Sequence, residues 1–242
     1  MNIEVCVDNT ESIDITCDFA IDRLELCSAL GLDGLTPSVA LVRYAKRHSN
    51  ASCHAMIRPR AGDFVYNDTD FQLMLDEIHI LAACGIDGIV FGCLNQDQTI
   101  ATDKLSQVMK LAREYRLQTT FHRAIDLTCD YLGSIQCCVD LGVDRILTSG
   151  AADKAYRGMR ELKKAVDCFS GKIEIMAGSG IHSENVCEII TTGVDAVHFS
   201  ASHLICKTHE VSAFPASSLT YQVTDVIKLK QLIKTIMLVQ AN

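Results

Sequence analysis

Apolar positions along this chain keep two rhythms. In short runs they recur at every second residue, and in longer ones at every third or fourth. The first rhythm predicts strands at 3–7, 23–27, 53–58, 87–92, 118–123, 145–149, 173–177 and 196–200. The second predicts helices near 10–20, 37–47, 68–84, 102–115, 130–141, 153–168, 183–192 and 225–239. Strand and helix alternate throughout, which is the order of parallel strands joined by crossover helices.

The joints between them repeat. Cys84-Gly85-Ile86-Asp87-Gly88, Leu141-Gly142-Val143-Asp144-Arg145 and Thr192-Gly193-Val194-Asp195-Ala196 each place glycine where a helix ends, then an apolar residue that packs down, then a turn-forming Asp. Phe19-Ala20-Ile21-Asp22-Arg23 is a weaker copy. Eight strand–helix units predict the α/β class and a TIM (β/α)8 barrel, one domain over residues 1–242. The competing open doubly wound sheet wants a glycine-rich turn after its first strand, where this chain reads Val7-Asp8-Asn9-Thr10. Residues 201–224 keep neither rhythm and are expected to form a long irregular loop over a barrel mouth.

Strand parity then sorts side chains into two sets. Ile3, Val5 and Val7 share one face, and Glu4 and Cys6 the other; Leu24 and Leu26 oppose Glu25 and Cys27; Ala55 and Ile57 oppose His54, Met56 and Arg58. The apolar set should meet the helices. The polar set, with Glu174, His198 and His122, must line the interior. Buried charges persist only when paired, so for the deep members Glu4 and Glu174 a satisfied ion network is the favoured reading. Groups at strand C-termini carry the opposite bias, because barrel enzymes keep their sites there.

Composition narrows the function classes. Of 242 residues 48% are hydrophobic and 21% charged, enough to bury a large core. The net charge of −8 argues against a nucleic-acid partner. No apolar run reaches membrane-spanning length and Met1-Asn2-Ile3-Glu4 does not open a signal peptide, so the expectation is no membrane partner and a cytoplasmic location, with the nucleus also open. Twelve cysteines scattered along the chain then read as free thiols.

The chemistry-bearing stretches lie at the predicted rim. Arg58-Pro59-Arg60 and Asp63 follow the third strand. Two guanidiniums there could clamp a carboxylate or phosphate, with Asp63 orienting one, or could staple the loop to its neighbours; both readings stand. After the fifth strand Phe121-His122-Arg123-Ala124-Ile125-Asp126 offers a candidate acid or base in His122 and a second anion-binding cation in Arg123. After the seventh, Gly178-Ser179-Gly180 ahead of a helix start could cradle an anion on backbone N–H groups.

Taken together these segments resemble the CutC family of copper homeostasis proteins. The likeness is carried by Glu4-Val5-Cys6-Val7-Asp8, Asp22-Arg23-Leu24-Glu25-Leu26-Cys27-Ser28, Gly34-Leu35-Thr36-Pro37-Ser38, Met56-Ile57-Arg58-Pro59-Arg60-Ala61-Gly62-Asp63-Phe64, Thr120-Phe121-His122-Arg123-Ala124-Ile125-Asp126, Leu147-Thr148-Ser149-Gly150 and Ile175-Met176-Ala177-Gly178-Ser179-Gly180, in order along essentially the whole chain. It implies a TIM barrel, a cytosolic homo-oligomer (dimer or tetramer) and a link to copper. The chain departs from the family at Ala61, at Leu32-Asp33-Gly34 and in the connection after Ser202. The eukaryotic-like members' Cu(I) ligands carry over to Cys6 and Cys27, which parity also turns inward, with Met56 a further sulfur donor. Either could equally be a small buried hydrophobe.

Two functions follow. One is copper homeostasis, with Cu(I) as the bound ion held by Cys6 and Cys27. The alternative is an enzyme acting on a small anionic metabolite, in which His122 is acid or base, Arg58, Arg60 and Arg123 bind the anion, Glu25 is a base or Arg58's partner, and Asp63 supports the clamp.

Overall fold

The computed structural model describes residues 1–206 and 220–240. Eight parallel strands close on themselves in chain order: β1 (Asn2–Val7), β2 (Arg23–Leu26), β3 (Ser52–Met56), β4 (Gly88–Phe91), β5 (Gln118–Phe121), β6 (Arg145–Thr148), β7 (Glu174–Gly178) and β8 (Ala196–Phe199), with β8 paired back to β1. The helices α1 (Thr10–Thr16), α2 (Val39–His48), α3 (Asp68–Ala82), α4 (Thr102–Tyr115), α5 (Tyr131–Leu141), α6 (Met159–Phe169), α7 (Val186–Ile190) and α8 (Val226–Gln240) follow the strands one by one. The predicted TIM barrel is the observed fold.

Local chemistry sets several helix starts. The side chains of Asn9, Ser38, Asn67 and Asp130 each accept a hydrogen bond from a backbone N–H in the first turn of α1, α2, α3 and α5. Such a cap satisfies a donor that the helix itself leaves without a partner, worth about 1 kcal/mol each. Packing follows parity. Ile3, Val5, Val7, Leu24, Leu26, Ala55 and Ile57 join one outer core with the inward faces of the helices. Each fully buried Leu or Ile contributes about 1.5–3 kcal/mol to that core.

Three elements differ from the pattern-based expectation. α6 begins at Met159 rather than near 153, because Ala155 N–H donates to Ser179 O at 3.0 Å and Arg157 pairs with Asp153, which holds 151–158 as a turn against the loop after β7. α7 spans only Val186–Ile190, since the Asn185 side chain donates to Gly180 O and accepts from His182 N–H, fixing a turn ahead of it. The predicted irregular loop at 201–224 contains two strands, β9 (Ser202–Cys206) and β10 (Thr220–Thr224), paired antiparallel; residues 207–219 of that connection lie outside the described residues. β10 is tied down where Thr224 N–H donates to Ser12 Oγ (3.0 Å) and Asn9 Nδ2 to Gln222 O (2.9 Å).

Candidate functional site

Strand register builds the site in layers. Glu4 stands opposite Arg23 on β2 and His198 on β8, while Cys6 stands opposite Glu25. The lowest layer is a closed ion network. Arg23 reaches Glu4 (2.9 Å) and Glu174 (2.7 Å), and Arg145 reaches Glu174 (2.9 Å). Burial alone would raise the Glu4 carboxyl, but His198 and Arg23 hold it well below the ordinary range. This network is the packed interior expected for Glu4 and Glu174. Arg23 and Arg145 were not singled out from the sequence, although Arg23 has the parity of Glu25 and Arg145 opens β6.

Above that layer three different donors converge. Cys6 Sγ, a Glu25 carboxylate oxygen and a His198 ring nitrogen all lie within 4.8 Å of one another. His198 Nδ1 sits 2.8 Å from Glu4 Oε1, and its Nε2 is 3.7 Å from Glu25 Oε2. Burial opposes charge on His198, yet Glu25, Cys6 and Glu4 raise its pKa well above the usual imidazole value. Glu25 is pushed upward by burial and by Glu4, and its Oε1 is buried with no hydrogen-bond partner. All three residues line a cavity of about 750 Å³ at the C-terminal mouth of the barrel. His198 belongs to the site although only its inward direction was expected.

The expected sulfur pair is unequal. Cys6 is on the cavity wall; Cys27 is fully buried among Met56, Val90 and Leu30, with Sγ 3.4 Å from Glu25 Oε2. Burial, then Glu25 and Cys6, keep the Cys27 thiol well above the ordinary range.

Around the mouth the candidate anion binders divide. Arg58 is buried and lines the cavity, but its guanidinium donates to Leu32 O (2.8 Å), Gly34 O (3.0 Å) and Gly62 O (2.9 Å) and lies over the Phe64 ring. That is a staple between the loops after β2 and β3. It does not pair with Glu25, whose neighbours are His198 and Cys27. Arg60 and Asp63 fit the stapling alternative rather than the clamp. Arg60 binds Asp63, Asp70 and Val65 O on the surface, and neither residue lines the cavity. Both spend their polar atoms on bracing one loop.

His122 and Arg123 do reach the cavity wall. His122 Nδ1 accepts from Ala124 N–H (3.2 Å), so the neutral ring carries its proton on Nε2, which is buried without a partner. Burial, Arg58 and Arg123 lower its pKa to about 3, so His122 is neutral at physiological pH and could act as a hydrogen-bond donor. Arg123 is 36% exposed and held by Asp126, Ser149 and Ala152 O. Asp126 organises that corner by also accepting from Thr148 Oγ1 (2.5 Å), Ser149 N–H and Ala151 N–H.

Of the Gly178-Ser179-Gly180 turn, Ser179 and Gly180 line the cavity and Gly178 does not. The following helix starts only at Val186, so no helix N-terminus backs this turn, and the Asp153 carboxylate residue shares the wall. The expected anion cradle lacks its helix.

A family model described as the CutC family matches residues 1–203. A "family protein CutC" of Aliivibrio fischeri (strain MJ11) is 43% identical over 201 residues, 83% of this chain and 81% of that protein. One from Pasteurella multocida (strain Pm70) is 40% identical over 216 residues, 89% and 86% of the two chains. Among solved structures, the Streptococcus agalactiae protein named copper homeostasis protein CutC superposes with a TM-score of 0.78 at 31% identity, covering 83% of this chain and 98% of that one. The thiamine phosphate pyrophosphorylase of Pyrococcus furiosus, at 14% identity and a TM-score of 0.60, shares the fold alone. These named relatives are bacterial, so they lend nothing to a eukaryotic-like membership. No helix among the described residues is long and apolar enough to cross a membrane.

Proposed function

The chain belongs to the CutC family of copper homeostasis proteins, and on that premise we propose that it carries Cu(I) as cargo in the cytosol, held by the thiolates of Cys6 and Cys27. The observation that carries the reading is the placing of both sulfurs against the same carboxylate, Glu25, on neighbouring strands at the barrel mouth. A soft monovalent ion prefers thiolate, and two thiolates suffice for it. Cys6 is the residue an arriving ion would meet, since it lines the cavity. Cys27 is the inner donor, and its thiol must give up a proton when the metal binds. Met56 packs beside Cys27 and supplies a third sulfur nearby. Eleven of the twelve cysteines, all but Cys206, are seen as free thiols, the state a reducing cytosol maintains.

The test is titration of Cu(I) into the reduced protein against a chromogenic chelator. Wild type should take up about one equivalent, with Cys6→Ser and Cys27→Ser each weakening it at least tenfold. Unchanged uptake by the double variant would sink the reading.

A second reading, an enzyme or binder of a small anionic metabolite, is favoured by one observation: the cavity far exceeds the needs of a metal ion. A volume of about 750 Å³ falls in the range of organic-ligand pockets. His122 would act as donor and Arg123 as the cation, with Arg58 shaping the wall. Calorimetry with inorganic phosphate and with malonate should show binding that Arg123→Ala weakens tenfold or more; no heat for either anion would leave this reading without support.

A further inference from the structure

A thiolate pair explains Cys6 but makes a ligand of neither Glu25 nor His198. Cu(I) bound by two sulfurs has no need of an imidazole and a carboxylate at the same point. Yet one donor atom from each of these two groups and the sulfur of Cys6 all lie within 4.8 Å of one another, and all three residues reach the same cavity.

We propose that Cys6, Glu25 and His198 form a mixed-donor site for a borderline divalent cation of the zinc class, open on one side to the cavity. The site shares Cys6 with the Cu(I) reading but does not depend on it, because Cys27 takes no part.

Three features of the cluster support this. The first is spacing. Bonds of about 2.0–2.3 Å in a tetrahedral shell put neighbouring donors roughly 3.3–3.8 Å apart. His198 Nε2 and Glu25 Oε2 already stand at 3.7 Å, and no donor pair in the cluster is farther apart than 4.8 Å, so a closure of order 1 Å at most brings the three into one shell.

The second is the support behind the histidine. His198 Nδ1–H donates to Glu4 Oε1 at 2.8 Å, and the other Glu4 oxygen accepts from Arg23 Nε at 2.9 Å. Glu4 is completely buried. A carboxylate on the far nitrogen fixes the ring's orientation, so that once the cation displaces the Nε2 proton the freed lone pair faces it, the usual outer shell of a ligating histidine.

The third is the carboxylate ligand. Glu25 is 3% exposed, and its Oε1 has no hydrogen-bond partner. A buried carboxylate oxygen left unpaired is costly, and a cation between Oε1 or Oε2, Nε2 and Sγ removes that cost. Two anionic donors and one neutral imidazole also balance a charge of two.

Three protein ligands with a vacant direction facing a cavity is the pattern of reactive rather than purely structural zinc sites. The fourth position would take water or an oxygen of a small ligand in the 750 Å³ cavity. Such a cation would polarise that oxygen.

Cobalt(II) is the probe, because it substitutes for zinc and reports thiolate bonding by a near-ultraviolet charge-transfer band. The full-length reduced protein should bind one equivalent of Co²⁺ with that band and intense four-coordinate d–d absorption, and Zn²⁺ should abolish both. Cys6→Ser should remove the charge-transfer band and His198→Gln should weaken binding at least tenfold. Glu4→Gln should keep the band while weakening affinity about 10–100-fold, as loss of an outer-shell partner does. Cys27→Ser should leave the band intact, although the Cu(I) reading requires it to damage Cu(I) uptake; the two readings therefore fail separately. X-ray absorption on wild type needs no variant to fold, and should give one sulfur and two or three nitrogen or oxygen neighbours. No charge-transfer band, a band that survives Cys6→Ser, or two sulfurs around cobalt would each overturn the site.

Discussion

Glu4 Oε1 and His198 Nδ1 lie 2.8 Å apart, joining the first strand of the barrel to the last. The contact closes the interior and aims His198 at Cys6 and Glu25. Its anchor is Arg23, which fastens the other Glu4 oxygen and reaches on to Glu174.

Removing one member of such a network leaves a buried charge unpaired. Glu4→Ala should therefore cost about 3–5 kcal/mol of unfolding free energy, measured by urea denaturation. Because Glu174 retains Arg145, Glu4→Ala combined with Arg23→Ala should cost less than the sum of the two single changes, by roughly 0.5–3 kcal/mol. Strict additivity would mean that the pair does not interact.

Two inward positions on β4 and at its end are glycine because a histidine ring occupies the space. A Cβ on Gly92 would come within 2.6 Å of the His122 ring, and one on Gly88 within 2.6 Å of the His54 ring. Gly92→Ala should destabilise by about 1–3 kcal/mol through overpacking. In a His122→Ala background the same change should cost much less, since the clashing ring is then gone. An equal cost of Gly92→Ala in both backgrounds would show that the strain lies in the backbone instead.

The barrel was legible because both periodicities are strong and the helix-ending glycines repeat with the same following Asp. Asp87, Asp144 and Asp195 each accept a strand N–H, from Cys53, Thr119 and Ile175, so the repeated letter marks a repeated bond. The site was legible only as direction. Parity turned Cys6, Glu25 and His198 inward, but which of several inward groups meet depends on the stagger of eight strands, a quantity that no local pattern encodes. Arg60 and Asp63 show the converse. They lie two and five residues after Arg58 at the rim, yet they pair with each other, and Arg60 also with Asp70, because a loop end on the surface can satisfy its charges locally.

The two arginines of Arg58-Pro59-Arg60 should therefore respond differently to substitution. Arg58 holds three backbone carbonyls with a planar fork, which a lysine ammonium cannot span. Arg58→Lys should cost about 1–3 kcal/mol and increase proteolysis in the loop at 28–36. Arg60→Ala, on an exposed pair, should cost about 1 kcal/mol or less. Equal losses from the two would contradict the staple assigned to Arg58.

Acid should find His122. Burial, Arg58 and Arg123 hold its folded pKa near 3, against about 6.5 in an unfolded chain. Between those values the unfolded chain binds a proton that the folded chain does not, so stability rises with pH through this window and falls as pH drops from about 6.5 toward 3. By pH 5 the loss from this one ring is on the order of 2 kcal/mol. His54, buried and lowered to about 4, adds a loss of the same sign. Glu25, raised by burial, works in the opposite direction but is present in both proteins to be compared. His122→Gln keeps an acceptor for Ala124 N–H and cannot titrate. The drop in unfolding free energy between pH 7 and pH 5 should therefore be smaller in the variant by on the order of 2 kcal/mol, by urea denaturation at each pH. Equal drops would mean that His122 is charged in the folded protein, and with that its assignment as a neutral donor on the cavity wall would be lost.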